Sequence, residues 1–505
     1  MPVAAARKLL KCLVGLAMAW GTGAWAAPET GDSLAAADAS GVPMLTRFNA
    51  EHYSVMPQHN AIATDASGRV FVGNVEGVLL YSAGRFEHLH AEQEMSVRSV
   101  ALSGDGRVIV GGYDQFGSFG EQPDGHWTYT DIDEQFRDVP DAHPLGQVWL
   151  VAELPDGQYF LGERRLFHVD RDGATESWPT PNDVQTGLRV GDEIWARVVD
   201  HGLMRFDGKA FVPVPGGEEF TRYGVQSAAP HPDGTLFSSR VKGLYLGDAE
   251  HGLRHVDTAY DAWMQRTQVY AVAALADGDF ALATLSGEVA IVDAQLALKK
   301  QYRISNYPIT DVVANVDGGL WFSTEGDLVR MEWPSPWTFV GEEDGLFGAL
   351  NDAEWFEGRR WVATSLGLFR SGRDDQGRMR FQSLPWAPDE VWDLQRVGDD
   401  LLVGERKSIQ VIHADQATRL IDSNGVFELI PSAFVPGRVL TLESTSILEL
   451  DHAATWRAGS RHDLGEVTIS TLVELAADRW LIGNWRGYPQ LATRSVDATG
   501  PHIAI

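Results

Sequence analysis

Few residues in this chain have types and spacings that could do chemistry. "HLH" puts His88 and His90 two apart, so on a strand both rings face one side, as in a metal pair. No third ligand stands at a fixed spacing, so the pair reads as an exposed edge segment and no metal site is expected. "DRDGATE", starting at Asp170, matches a calcium loop only in part and reads as a turn. The Arg pairs of "GERRLF" and "EGRRW" could meet a carboxylated sugar, or sit solvated at strand ends. There is no G-x-S-x-G, and Cys12 is the only cysteine. Carboxylates are too numerous for any pair to be singled out as a glycosidase couple from sequence. What remains is binding. Tyr113, Asp114, Gln115, Trp263, Tyr270, Trp355, Trp392 and Trp485 stand in irregular or longer connections, where aromatic rings can stack on a sugar or another ring. The alternative role of each is to cap a structural element. No catalytic residue and no cofactor is expected.

The elements that must position these residues repeat. "VDGGLWFSTEGDLVRM" and "FEGRRWVATSLGLFR" have the same plan: a turn, an apolar strand, a small residue, a second turn and another strand. About eleven such copies run from "ASGRVFVGNVEGVLLY" to "AADRWLIGNWRGYPQL", and Thr284, Thr324, Thr364 and Gly404 are spaced 40 apart. Periods near 40 are those of propeller blades. A leading strand lines the axis, two hairpins follow, and a variable edge strand closes the blade. One blade cannot bury its own faces, so it needs neighbours. Phe71, Tyr159, Trp195, Phe237, Phe280, Trp321, Trp361 and Trp480 recur at one blade position and are expected to pack between blades. The fold class is therefore all-β, tandem propellers of four-stranded blades, with a first ring of seven blades and a second that is incomplete. The domains expected are a signal peptide over 1–26, a first propeller over 27–340 and a second, partial one over 341–505.

The signal peptide rests on Arg7, Lys8 and Lys11, the apolar run "CLVGLAMAW" and the small-residue site Ala24-Trp25-Ala26. It implies a periplasmic location. Removal of the leader would take Cys12 with it, so no disulfide or thiolate chemistry is expected. The net charge of −29, spread without blocks, disfavours nucleic acid and anionic lipid as partners.

The ordered repeats resemble the two-component regulator propeller family, the periplasmic sensor region of bacterial hybrid histidine kinases and some diguanylate cyclases. The likeness is carried by Asn74 with Gly77-Val78-Leu79, by "GGYDQFGSFG" from Gly111 to Gly120, by "DGDFALATLSGEVAIVD", and by "SPWTFVGEEDGLFG" from Ser335 to Gly348. It covers roughly Leu45 to Gly487. It implies tandem seven-bladed propellers followed by a signalling output, whereas here about four copies follow the first seven, and no kinase, GGDEF or helix-turn-helix sequence is present. Either the chain is truncated or its last copies pack unusually. The resemblance implies a ligand-sensing propeller of a two-component or cyclic-di-GMP receptor, without its output domain. Its expected partners are a small molecule or oligosaccharide, a second copy of the chain and a membrane-bound signalling partner. The alternatives are a propeller-type polysaccharide lyase or hydrolase, and a non-catalytic surface scaffold.

Overall fold

The structure is a computed structural model, and it describes residues 41–91, 95–374, 379–485, 487–497 and 500–504. The leader expected over 1–26 lies outside the described residues. The chain divides into two compact units, one over Val42–Trp337 and one that includes Thr338–Ile505.

In the first unit, seven antiparallel sheets of four strands follow one another. Their innermost strands are His59–Thr64, Ser99–Leu102, Leu150–Leu154, Val184–Val190, Ser227–His231, Val269–Ala274 and Ile309–Ala314, in blades 1 to 7. Each touches the next, and Ile309–Ala314 returns to His59–Thr64, so the blades form a ring. Closure is local in space but remote in sequence. Leu45–Phe48 is the outermost strand of blade 7, pairing Leu45 with Met331 and Phe48 with Leu328. This completes the sheet begun by Ile309–Ala314, Leu320–Thr324 and Leu328–Met331, and hydrogen-bonds the start of the unit to its end. Phe48 stacks on Trp321 at 5.7 Å, which locks the junction with an aromatic pair.

The second unit holds four more four-stranded sheets, blades 8 to 11, beginning with Leu350–Phe356, Val391–Val397, Glu428–Pro431 and Ile469–Ala476. They are strung in order, each packing on the next through one cluster of buried residues.

The recurrent aromatics pack between blades, as their spacing implies. Phe71, Trp195, Phe237, Trp321, Trp361 and Trp480 are all fully buried. Trp321 of blade 7 packs on Val70, Val72 and Leu79 of blade 1. Trp361 of blade 8 meets Leu401 and Val403 of blade 9. Fully burying such a side chain contributes about 1.5–3 kcal/mol. In several blades a polar residue at the end of the second strand serves the turn that follows. Asn74 donates to the carbonyls of Met56 and Gln58 at 2.6 and 2.9 Å, and accepts from the N–H of Glu76. Thr324 Oγ1 lies 2.6 Å from Asp327 Oδ1 and accepts from the Asp327 N–H. Glu405 and Glu443 take the same role in blades 9 and 10, each accepting from a serine hydroxyl three residues on.

Candidate functional site

Every innermost strand of the ring starts with a bulge. Asn60, Gln185, Tyr270 and Thr310 are skipped in the pairing with the second strand, where the register shifts by one. Arg98, Trp149 and Gln226 donate their N–H to the carbonyls of Gly111, Leu161 and Ser238, which also partner the following residues Ser99, Leu150 and Ser227. A bulge releases one side chain from the strict alternation of the strand and re-aims it. The residue before it (His59, Val97, Val148, Val184, Val225, Val269, Ile309) is buried in all seven blades. The bulged residue itself is at least partly exposed in all seven. Because the innermost strands form the ring, one position yields an annulus at one end of it: Asn60, Arg98, Trp149, Gln185, Gln226, Tyr270 and Thr310.

Parts of this annulus are bonded to one another. Thr310 Oγ1 donates to the His59 carbonyl at 2.9 Å, and Asn60 Nδ2 to the Val97 carbonyl at 2.9 Å. Arg98 Nη1 reaches Asn60 Oδ1 at 3.4 Å, and its guanidinium lies 5.4 Å from the Trp149 ring. The arc of blades 8 to 11 repeats the device with Asn351, Trp392, Phe427 and Ser470. There Asn351 Nδ2 donates to the Val391 carbonyl at 2.8 Å, and Trp392 stacks on Phe427 at 4.4 Å and 18°.

The residue after the bulge clasps the next blade. Asp311 accepts from the N–H of Ile62, Asp352 from that of Leu394, and Asp393 from that of Leu429. Ser227 does the same for Val272. Burial raises Asp311 to about 6. Asp393 is pushed well above the usual carboxylate range by burial and by the neighbouring Asp352 carboxylate, so it holds a proton more readily than an isolated aspartate. Burial lowers His59 to about 4, so the imidazole is neutral where it contacts Tyr53 Oη at 3.1 Å.

The expected binding residues fall into four places. Tyr270 and Trp392 are annulus residues. Tyr113, Asp114 and Gln115 form the turn between the second and third strands of blade 2, at the same end as the bulges. Asp114 takes φ 56°, and its N–H and carboxylate are both bonded to Gly146. Tyr113 is exposed. Trp485 lies on the matching turn of blade 11, exposed, donating to the Ile469 carbonyl at 3.0 Å. Trp355 walls an open cavity of about 650 Å³, with Arg360, Leu350, Val362 and Phe381, on the flank of blade 8. Trp263 is corrected. It sits on the helix Asp261–Thr267, buried among Tyr260, Met264 and Phe280, with Nε1 bonded to Glu288 at 2.7 Å, so its faces are not open for stacking. Of the histidines, His88 bonds to the Glu76 carbonyl at 2.7 Å while its ring lies 5.5 Å from that of His90.

Sequence reading missed Asn60, Arg98, Trp149, Gln185, Gln226 and Thr310. The signal was present as a buried residue followed by a larger or polar one at the head of each leading strand. Connections of unequal length obscured it, since the seven positions are separated by 36 to 51 residues.

No family model matches the sequence, and no curated protein matches it. Among solved structures, the chain is similar to the extracellular domain of the putative hybrid two-component system BT3049 from B. thetaiotaomicron. The TM-score is 0.64 at 13% identity, over 89% of this chain and 65% of that one. The chain thus spans about 65% of that relative's length. The extracellular domain of the putative hybrid two-component system BT4673 from the same organism aligns at TM-score 0.45 and 11% identity, over 92% of this chain and 71% of that one. A streptogramin B lyase structure aligns at TM-score 0.45 and 15% identity, over 57% of this chain and 96% of that one. The blades, the ring and the first of these likenesses together establish an all-β propeller fold, which this chain shares with that extracellular domain.

Proposed function

We propose that the chain is the ligand-sensing propeller of a bacterial signal-transduction receptor, acting outside the cytoplasm. The annulus of the seven-bladed ring receives a polar, ring-bearing ligand of the oligosaccharide class. The observation that carries this reading is that one bulge, repeated in every blade, collects one guanidinium, two aromatic rings, three amides and a hydroxyl at one end of the ring. Amides and hydroxyls match sugar hydroxyls, and Trp149 and Tyr270 offer faces for a pyranose ring. Arg98, lying over Trp149, adds affinity for a carboxylated sugar. The fold shared with an extracellular domain of a two-component system supports the sensor assignment and the location. Binding would stiffen contacts that pass from blade to blade through Thr310, Asn60 and Arg98. The receptor's output belongs to a signalling partner at the membrane.

The test is thermal denaturation against neutral and acidic oligosaccharides, with product analysis on the same samples. A ligand at 100 times its Kd should stabilise the chain by about 2.7 kcal/mol with the sugar recovered intact. Arg98→Ala and Trp149→Ala should abolish the shift, and Asn351→Ala in the arc should not. Cleavage of the sugar would replace the sensor with a propeller lyase or hydrolase. Absence of any shift across the panel would leave the scaffold reading in its place.

A further inference from the structure

The turns at the bulge end of the seven-bladed ring differ in charge. Between the second and third strands, blades 1, 2, 3, 4 and 7 carry a carboxylate there: Glu76, Asp114, Glu163, Asp200 and Glu325. In blade 3 the turn's cation, Arg164, is neutralised by Asp183 at 2.6 Å, and in blade 6 the turn is uncharged. Blade 5 stands apart. Its turn is Arg240-Val241-Lys242, with two cations and no carboxylate. Arg222, which ends the short helix Gly217–Thr221, adds a third cation next to Tyr223. Among the described residues, none of the three has a carboxylate partner. Of the carboxylates on neighbouring segments, Glu219 Oε2 accepts from Tyr245 Oη at 2.7 Å, and Asp257 Oδ1 lies 3.1 Å from His255 Nδ1.

The cationic turn is held at both ends. The Arg240 N–H donates to Gln226 Oε1 at 2.9 Å, and the Lys242 carbonyl accepts from His255 Nε2 at 2.7 Å. The Lys242 ammonium lies 4.7 Å from the centre of the Tyr223 ring, a cation–π contact that places it. Gln226 is the blade 5 member of the annulus, so the turn adjoins the annulus directly. Tyr270, the blade 6 member, is tied to the same blade, because its carbonyl accepts from Ser238 Oγ at 2.6 Å. Ser238 stands two residues before Arg240. One corner of the annulus thus brings together an amide, an aromatic ring and a fixed pair of cations.

The net charge of −29 does not set the field at this corner. At physiological ionic strength exposed charges are screened beyond about 8 Å, so the unpaired cations nearby dominate. A guanidinium beside an ammonium binds anionic oxygens, of a carboxylate or a sulfate, through charge-assisted hydrogen bonds. We propose that this corner is the acidic subsite of the annulus and that the ligand is an acidic oligosaccharide, an assignment that rests on the annulus being the sugar site proposed above and adds the class of sugar. One sugar ring lies on Tyr270, Gln226 bonds its hydroxyls, and Arg240 and Lys242 hold its carboxylate or sulfate. Arg98, on blade 2, is three blades away, so the two cationic points suit a chain with repeated anionic groups rather than a single acidic sugar.

Isothermal titration calorimetry of the full chain tests this with three probes: an oligogalacturonate, the same oligomer with its carboxyls methyl-esterified, and a sulfated neutral oligosaccharide. The acid should bind about tenfold or more tighter than the ester, the scale of one charge-assisted hydrogen bond, and should weaken as salt is added. The double variant Arg240→Gln, Lys242→Gln should bring the acid's affinity down to the ester's. Both side chains are at least partly exposed, so melting without ligand should stay unchanged. Tighter binding of the sulfated probe assigns the subsite to sulfate, and tighter binding of the uronate assigns it to carboxylate. An ester that binds as tightly as the acid would overturn the acidic subsite and leave the annulus standing as a sugar site. An acid preference that survives the double variant but disappears with Arg98→Ala would also overturn it, with the charge contact at Arg98 alone. Failure of all three probes to bind would overturn the subsite and the sugar site together.

Discussion

The ring of blades 1 to 7 and the arc of blades 8 to 11 are built from the same blade, yet they solve the problem of blade ends differently. In the ring, the buried position before the bulge is filled in all seven blades, because each has a blade behind it. In the arc it is buried in blades 9, 10 and 11 and exposed at Leu350 in blade 8. The residues are equally apolar, so the difference lies in connectivity. Leu45–Phe48 gives the ring a strand that closes blade 7 from the far end of the unit. Burial in a propeller is therefore a property of the neighbour as much as of the residue.

The largest effects should come from Trp321 in the ring and Trp480 in the arc, both fully buried between blades. Replacing either with Ala should cost about 3–5 kcal/mol. In the ring the loss should appear as a lower midpoint for the whole seven-bladed unit. In the arc it should stay with blade 11, read as faster hydrogen exchange over 469–497 while 350–356 keeps its protection. Equal loss of protection in both segments of the arc would erase the distinction between the ring and the arc.

The aspartate clasps give the next effect, and they occur both at the ring closure and within the arc. Asp311 has a folded-state value of about 6 against an ordinary 3.8, so the folded state binds more protons between these values. Its contribution to stability is fully present below the lower value and is lost as pH rises to about 6. Asp393 is raised in the same direction by burial and by Asp352. Asp393→Asn should therefore stabilise the arc at neutral pH, by on the order of 1 kcal/mol, and flatten its response to pH. Denaturant melts from pH 4 to 8 check this, and a destabilised variant would mean that the anion is needed to hold the Leu429 N–H.

His59 acts in the opposite sense at the same ring junction. Its value falls from 6.5 to about 4, so the stability it contributes is present above 6.5 and is lost as pH falls toward 4. His59→Gln should remove that acid-side loss from the ring and leave the arc unchanged, as followed by urea midpoints at pH 5 and 7. The smallest effect on stability is expected at the annulus. Arg98→Ala should move the ring by less than about 1 kcal/mol while removing ligand binding, because a partly exposed contact contributes little to folding. A large loss of stability there would reassign Arg98 from binding to construction.

The blade count was legible in the sequence because each blade needs the same turns and the same alternation, and these leave a period. So was the interior role of Trp321 and Trp361, since a large apolar residue repeated at one strand position must face something apolar; Trp480 is buried too, but one residue out of that register and on the opposite face of its blade. The candidate site was only partly legible. Tyr270 and Trp392 stand out in the sequence because they are aromatic, whereas Asn60, Gln185 and Thr310 are ordinary residue types that only a bulge brings to the annulus. A bulge is a matter of register between two strands and has no residue signature of its own. Trp263 shows the converse, an aromatic in a long connection that the fold turned inward onto a helix.

By itself, then, the sequence determined the local rules: strand, turn, strand, an apolar residue at each junction and a polar one at each turn. Those depend on contacts a few residues apart. Only the tertiary structure decided where the ring closes, which bulged side chains share one end of it, and which of the residues before the bulges are buried or exposed. Those outcomes depend on strands more than two hundred residues apart in the chain, as Phe48 and Leu328 are, and no local pattern encodes which of several similar blades will meet.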